Sequence, residues 1–391
     1  MYKRKVNISN LLKKKSHFLF GPRYVGKSTL IREQIKDAIV FDLLEAKTYQ
    51  KLLKHPSFIA ETLPQGEHPI VVIDEVQRLP ELLNEVHRLI FEKKATFLLT
   101  GSSARKLKHG AANLLAGRAW EARLFPLTFT EINEGTDVET TKALPKFDLL
   151  RYLNRGGIPD IYLSEDFNTE LVNYVNLYLK EEVKAESLTR NIQAFAEFLE
   201  IIALHDAREV NFEAMASDCQ ISTSTLRNYF KILEDTLIGF SISGYTKTVK
   251  RKATARIKHF MFDLGVSNCL AHREISDLQS ENAGHAFEHF IALELRAFLA
   301  YTNSREQLTY WRSTSQKEVD FLVGDSLAIE VKSTTYVTNR HISGLLALRE
   351  ENIFKRYIVV SRDEQKRKFS NDIEVWPYQE FLQSLWNNEF F

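Results

Sequence analysis

The sequence predicts an α/β protein built in sections, on three observations. From about residue 18 to 127, short apolar runs alternate with helix-spaced segments, the pattern of a parallel sheet with helices on both faces. Beyond the polar stretch 134–142 the pattern turns helical. Near the C-terminus strict alternation returns, in 318–322 and 328–332. A chain of 391 residues exceeds one core, which rarely grows past about 250–300 residues, so several domains are expected.

The first section is organised around Gly21-Pro22-Arg23-Tyr24-Val25-Gly26-Lys27-Ser28-Thr29, which reads G-x-x-x-x-G-K-S. Phe18-Leu19-Phe20 before it suits a buried strand, and Leu30, Ile31 and Ile35 after it have helical spacing. Strand, glycine loop and helix are the context of a phosphate-binding P-loop. The glycines let backbone N–H groups turn toward phosphate oxygens, and the helix N-terminus adds partial positive charge. Lys27 would reach the β- and γ-phosphates of ATP, and Ser28 would hold Mg²⁺.

Further strands are expected near 39–42, 70–74, 96–100 and 120–126, with helices after Lys27, over 80–91 and around 111–115. The run Ile70-Val71-Val72-Ile73 ends in Asp74 and Glu75, the Walker B pattern. Asp74 would orient Mg²⁺, and Glu75 would activate the attacking water. The run Thr96–Leu99 ends in Thr100, Gly101, Ser102 and Ser103. Thr100 or Ser102 would sense the γ-phosphate or cap a turn, because strand carboxyl ends face the ligand crevice in such sheets. Arg118, just before the next strand, is either a finger reaching a neighbouring subunit's phosphate or a surface arginine.

The phrases GPRYVGKST, IDEVQRLPEL, LLTGSSARKL, LAGR, PLTFTE and GGIPD, in this order across residues 18–160, resemble the AAA+ family. The likeness is to prokaryotic ATPases in which a C-terminal domain of unknown function follows the AAA core. It implies Asp74 and Glu75 as the Walker B pair, Thr100 or Ser102 as sensor 1, and Arg118 as an arginine finger. Gly157-Ile158-Pro159 resembles the lid motif beside the adenine in related STAND ATPases, so Pro159 is expected at the nucleotide. No arginine stands at a clear sensor 2 position.

In the middle section, 212–216 and 223–233 read as two short helices with a tight turn, a helix-turn-helix pattern. Thr223, Ser224, Arg227, Asn228 and Lys231 are expected on its open face. Strands over 237–243 and 256–262 flank a loop with Lys247, Lys250, Arg251 and Lys252. No acid occurs between Asp235 and Asp263, so this hairpin suits either DNA phosphates or packing against another part of an assembly. The resemblance implies a winged-helix-like unit here.

In the last section, Gly324-Asp325 marks a turn between the alternating runs. Period two puts Glu318 and Asp320 on one face of the first strand, and Glu330 and Lys332 on one face of the second. A turn centred near Asp325 sets Asp320 beside Glu330. Glu288 shares a helix face with apolar residues and needs a partner there. Glu288, Asp320, Glu330 and Lys332 resemble the PD-(D/E)XK nuclease core, in which the acids bind Mg²⁺ or Mn²⁺ and the lysine orients the water. No proline precedes Asp320. The site is either active or a degenerate fold with ion pairs in place of metal.

Net charge is +1, so any basic surface is local. Two cysteines without metal spacing, and no apolar stretch of spanning length, fit a cytoplasmic protein with no membrane partner. The expected layout is an AAA+ core over 1–134, a helical lid over 135–205, a winged-helix unit over 206–271 and a restriction-nuclease-like α/β domain over 272–391. The expected function is an ATP-hydrolysing, DNA-associated homo-oligomer with a metal-dependent nuclease end. The alternatives are a STAND-like switch with an inert nuclease fold, and a DNA-binding ATPase regulator.

Overall fold

The computed structural model describes residues 2–103, 115, 117–135, 144–179 and 192–391. The helix expected around 111–115 lies, apart from Leu115, outside the described residues, as does most of the polar stretch 134–142. The chain divides into two compact units. The N-terminal unit is Arg4–Phe125 with Asp235–Ile238, and the C-terminal unit is Met1–Lys3, Pro126–Glu234 and Gly239–Phe391.

In the N-terminal unit the described elements run α1 (Ile8–Leu12), β1 (Ser16–Phe20), α2 (Lys27–Gln34), β2 (Ile39–Asp42), α3 (Ala46–Lys54), α4 (Phe58–Glu61), β3 (Ile70–Asp74), α5 (Leu82–Phe91), β4 (Thr96–Gly101) and β5 (Ala119–Arg123). The strands pair in the order β2-β3-β4-β1-β5, and every pair is parallel. Parallel strands need crossovers that cover the sheet, which is why β1, β3 and β4 are continuous apolar runs rather than alternating ones. Val71, Ile73, Phe97 and Leu99 pack with Leu82, Leu83 and Val86 of α5 in one core. The register sets Phe20 beside Gly101 and Leu19 beside Thr100, and continues Ile73 beside Leu99. The ends of β1, β3 and β4 therefore lie level, and the P-loop, Asp74 and Thr100 emerge at one edge.

The C-terminal unit opens with α6 (Phe129–Asn133), α7 (Leu149–Arg155), α8 (Pro159–Leu163), α9 (Phe167–Asn173), α10 (Ile192–Leu204), α11 (Phe212–Asp218) and α12 (Thr223–Asp235). Helix α9 is followed by a wider π turn, Tyr174–Leu179. Then come β6 (Gly239–Gly244), β7 (Ile257–Met261), α13 (Leu264–Leu270), α14 (Glu281–Tyr301), β8 (Leu308–Arg312), β9 (Glu318–Val323), β10 (Leu327–Lys332), α15 (Ser343–Arg349), β11 (Arg356–Ser361), β12 (Arg367–Lys368), β13 (Glu374–Pro377) and α16 (Tyr378–Trp386). One mixed sheet runs β12-β13-β11-β10-β9-β8-β6-β7. The β6–β7 hairpin, drawn from sequence as a wing, joins the strands of the last section: Ser243 pairs with Thr309 and Gly244 with Tyr310.

Two apolar cores cover this sheet. One holds Phe287, Phe290 and Ile291 of α14, and the other Leu345 and Leu348 of α15. The β9–β10 register pairs Leu327 with Val323 and Ile329 with Phe321, so the turn is centred at residue 325 and Glu330 continues opposite Asp320. The strict alternation expected along β9 is broken. Val319 packs in the α15 core, whereas Phe321 and Val323 pack in the α14 core. A bulge on β9 supplies the reason: Thr309 pairs with Leu322 and Trp311 with Val319, so β9 carries one extra residue between those pairs and its side-chain phase advances by one.

Candidate functional site

The P-loop folds as its glycines require. Gly26 caps α2 at φ 93, a left-handed conformation that a side chain would strain. A Cβ on Gly21 would meet the Leu124 carbonyl oxygen at 2.5 Å, so only glycine lets the loop pass there. Pro22 and Val25 are buried, Tyr24 is exposed at φ 66, and Arg23 and Thr29 are half-buried. The Lys27 ammonium lies in the concavity of its own loop, donating to the Gly21 carbonyl at 2.6 Å and the Pro22 carbonyl at 3.0 Å.

Asp74, at the end of β3, meets two hydroxyls. Ser28 Oγ donates to Asp74 Oδ2 at 3.3 Å, and Thr100 Oγ1 donates to Asp74 Oδ1. The Glu75 N–H points at Asp74 Oδ1 (3.2 Å) and Thr100 Oγ1 (3.3 Å). Glu75 is buried and sits at φ 57, an unfavourable conformation for a residue with a Cβ and one that concentrates at functional sites. Its Oε2 accepts from Gln77 Nε2 at 2.5 Å, and the same amide donates to Ser102 Oγ at 3.1 Å. The sequence reading missed Gln77. It links the Walker B glutamate to the β4 terminus, and its buried Oε1 has no hydrogen-bond partner. A hydroxyl beside a carboxylate is the oxygen donor set that Mg²⁺ favours, so Ser28 and Asp74 fit that ion under the P-loop.

The strand register sets Arg118 apart from these groups. Ala119 pairs with Ser16 at the start of β1, whereas the P-loop leaves the strand's other end, roughly 15 Å away. The Arg118 guanidinium lies 5.7 Å from the centroid of Phe91, itself exposed. Arg4 was also missed. It is buried and donates to the Val25 carbonyl (2.6 Å) and the Phe125 carbonyl (2.5 Å), fastening the P-loop from beneath. Pro159 begins α8 in the C-terminal unit, where its missing N–H costs nothing. Before it, the Gly157 N–H donates to buried Asp263 at 2.7 Å, and the Gly157 carbonyl accepts from Leu127.

The second constellation lies in the C-terminal unit. Glu288 points inward from α14, Asp320 and Glu330 are buried on β9 and β10, and Lys332 Nζ reaches Glu330 Oε1 at 2.6 Å and Asp320 Oδ2 at 3.8 Å. The four expected residues are linked through ion pairs of Lys332 and Lys258, which also take in Glu318. Lys258 of β7 is buried and brings Nζ to 2.9 Å from Glu288 Oε1, 2.5 Å from Glu318 Oε1 and 3.9 Å from Asp320 Oδ1. Burial opposes its charge, yet Glu288, Asp320 and Glu318 hold its pKa well above the usual lysine range. Burial and neighbouring Asp320 push Glu330 up, against Lys332. The residues as arranged do not fit a divalent ion, because a protonated lysine stands among the carboxylates. Among the described residues no three His, Cys, Asp or Glu side chains are gathered to hold a metal. The sequence shows only a charge inside the apolar run Ile257-Lys258-His259-Phe260-Met261, which does not name its partners.

The basic hairpin is partly neutralised. The Glu351 carboxylate accepts from the backbone N–H groups of Val249, Lys250 and Arg251 at 2.8–3.0 Å, and Arg251 pairs with Glu350 at 2.7 Å. Lys247 and Lys252 are exposed, as are Ser224, Arg227, Asn228 and Lys231 on α12. Thr223 is half-buried. No described helix is long and apolar enough to cross a membrane.

A five-stranded parallel sheet with a P-loop after β1 and paired acids after β3 is the frame of a P-loop nucleotide-binding domain. Residues 13–133 match the family model of an AAA domain, in keeping with the sheet and glycine loop of the N-terminal unit. Residues 146–279 and 283–381 match two domains of unknown function (DUF8612 and DUF4143). The chain is similar to an uncharacterized protein of Haemophilus influenzae, 21% identical over 82% of this chain and 84% of the relative. It is also similar to an uncharacterized protein of Methanocaldococcus jannaschii, 23% identical over 73% of this chain and 68% of the relative. Among solved structures, the Aeropyrum pernix ORC2 protein in ADPNP and ADP complexes covers 68% of this chain and 89% of its own, with 10% identity and a TM-score of 0.38. Cdc6p of Pyrobaculum aerophilum has the same coverages, with 12% identity and a TM-score of 0.29.

Proposed function

We propose that the chain is an ATP-hydrolysing switch of the AAA type. The observation that supports this most is the meeting of Lys27, Ser28, Asp74, Glu75 and Thr100 at one edge of the parallel sheet. Gly21 to Thr29 would wrap the phosphates, with backbone N–H groups and Lys27 offsetting their charge. Ser28 and Asp74 would hold Mg²⁺, which when bound draws off charge from the phosphate oxygens. Glu75, held by Gln77, would take the proton of the attacking water, and Thr100 or Ser102 would register the γ-phosphate. Arg118 lies too far along the sheet to serve its own P-loop, which favours a role on a neighbour's nucleotide and a working homo-oligomer. Pro159 is assigned to the adenine side as the lid residue.

The test is Mg²⁺-dependent ATP hydrolysis by the full chain. Glu75→Gln should retain ATP binding and lose turnover, and Arg118→Ala should slow turnover. Undiminished hydrolysis in Glu75→Gln rejects the assignment. A second reading adds duplex DNA, favoured by exposed Lys247, Lys252, Arg227 and Lys231. Its test is salt-dependent binding, with a slope that falls by about 0.9 for each phosphate contact removed. Metal-dependent cleavage by Glu288, Asp320, Glu330 and Lys332 is the least favoured reading, because Lys258 stands among the acids.

A further inference from the structure

In the loop between β6 and β7, three consecutive backbone N–H groups converge on one side chain. Those of Val249 and Lys250 reach Glu351 Oε2 at 2.8 and 3.0 Å, and that of Arg251 reaches Oε1 at 2.8 Å. Burial opposes the Glu351 charge, yet these N–H groups hold its carboxyl below the usual range. Glu350 pairs with Arg251 Nη2 at 2.7 Å, and its carbonyl accepts from Lys250 Nζ. Both acids stand at the C-terminal end of α15, where a helix dipole disfavours negative charge. The loop explains their placement better than the helix does. The loop is also held by other bonds. Thr248 Oγ1 donates to the Arg251 carbonyl at 2.7 Å, the Lys252 carbonyl accepts the Thr314 N–H at 2.9 Å, and the Tyr245 hydroxyl donates to Asp325 at 3.0 Å. Arg251 Nε is buried and has no hydrogen-bond partner among the described residues, and Lys247 and Lys252 are exposed.

We propose that the N–H groups of Val249, Lys250 and Arg251, with Lys247, Arg251 and Lys252 in the same loop, form a phosphate site for the backbone of duplex DNA, and that Glu351 and Glu350 occupy it as the chain's own competing anion. Successive N–H groups aimed at one point make an anion-binding concavity, and nearby cations strengthen it. A backbone phosphate carries one negative charge and two free oxygens, so it can replace the two Glu351 oxygens one for one. Its entry requires Glu351 to leave. The acid pair therefore sets a threshold that a weakly held polyanion does not pass. This inference rests on the duplex-DNA reading and names both its contact and its restraint.

The test is fluorescence anisotropy of a labelled duplex titrated with the full chain over a series of salt concentrations, with thermal unfolding as the check of folding. Glu350→Ala/Glu351→Ala should bind several-fold tighter than the wild type, with a salt slope steeper by about 0.9 for each phosphate admitted. Adding Lys247→Ala/Lys252→Ala should reverse the gain. Glu364→Gln, which removes an exposed charge elsewhere in the same unit, should leave the slope unchanged. If Glu350→Ala/Glu351→Ala does not fold, Glu351→Gln, which keeps a neutral acceptor in the loop, is measured instead and should show a smaller gain of the same kind. A wild type that binds through Lys247 and Lys252, with affinity and slope unmoved in the folded glutamate variants, overturns this inference and leaves the DNA reading standing. A gain that Glu364→Gln matches, with no change of slope, is general charge and also overturns it. No binding by the wild type or by any variant overturns the inference and the DNA reading together.

Discussion

Two groups of acids among the described residues have partners that differ in kind. At the end of β3, Asp74 faces the hydroxyls of Ser28 and Thr100, and Glu75 faces the Gln77 amide. In the C-terminal unit, Glu288, Glu318, Asp320 and Glu330 face Lys258, Lys332 and Arg312. A hydroxyl satisfies the geometry of the Asp74 carboxylate and leaves its charge uncancelled, so a cation can still be drawn in. An ammonium satisfies geometry and charge together. The same residue types therefore make a receptive site in one unit and a self-neutralised one in the other.

The largest expected effect is at Lys27. Replacing it with alanine removes a charged donor from the phosphate loop, about 1.5–3 kcal/mol, or roughly tenfold to a hundredfold in ATP affinity. Calorimetric titration with a nonhydrolysable ATP analogue measures it, and Lys332→Ala serves as the contrast that should leave affinity unchanged. Equal losses in the two variants would break the comparison. A smaller effect is expected at Arg4, which donates to the Val25 and Phe125 carbonyls. Arg4→Ala should lower the stability of the N-terminal unit by about 1.5–3 kcal/mol and weaken ATP binding only a few-fold. Denaturant unfolding with and without the analogue separates those two consequences.

The P-loop, the Walker B acids and the centre of the β9–β10 hairpin were legible because each is fixed by neighbours within a few residues. Gly26 needs its left-handed turn whatever surrounds it, and Gly324-Asp325 sets its register locally. Arg4, Gln77 and Lys258 were not legible as site residues, because their meaning lies in partners brought close by the fold. Arg4 meets Phe125 across 121 positions, and Lys258 meets Glu288 across 30. The joining of β6 to β8 was also hidden, since a strand's apolar pattern does not name its neighbour. The β9 alternation was misread because its bulge shows only in the pairing with β8, which the sequence does not name.

A further effect concerns pH. Glu294 accepts from the Phe129 N–H (2.7 Å) and Trp386 Nε1 (2.8 Å), and burial pushes its pKa up to about 8. The folded state therefore keeps a proton that the unfolded chain gives up at an ordinary carboxyl pKa. The stability this lends is present below about pH 4.5 and is lost as pH rises through about 8. Melting temperatures of the wild type should decline across that window more steeply than those of Glu294→Gln. Parallel curves would remove Glu294 from the account.

The contrast between the two acidic sites is tested most directly by counting Mn²⁺ bound per chain at saturating ATP. The account predicts a single ion that Asp74→Asn removes and Asp320→Asn leaves in place. A second ion in the wild type, or an ion that survives Asp74→Asn and disappears in Asp320→Asn, would contradict it.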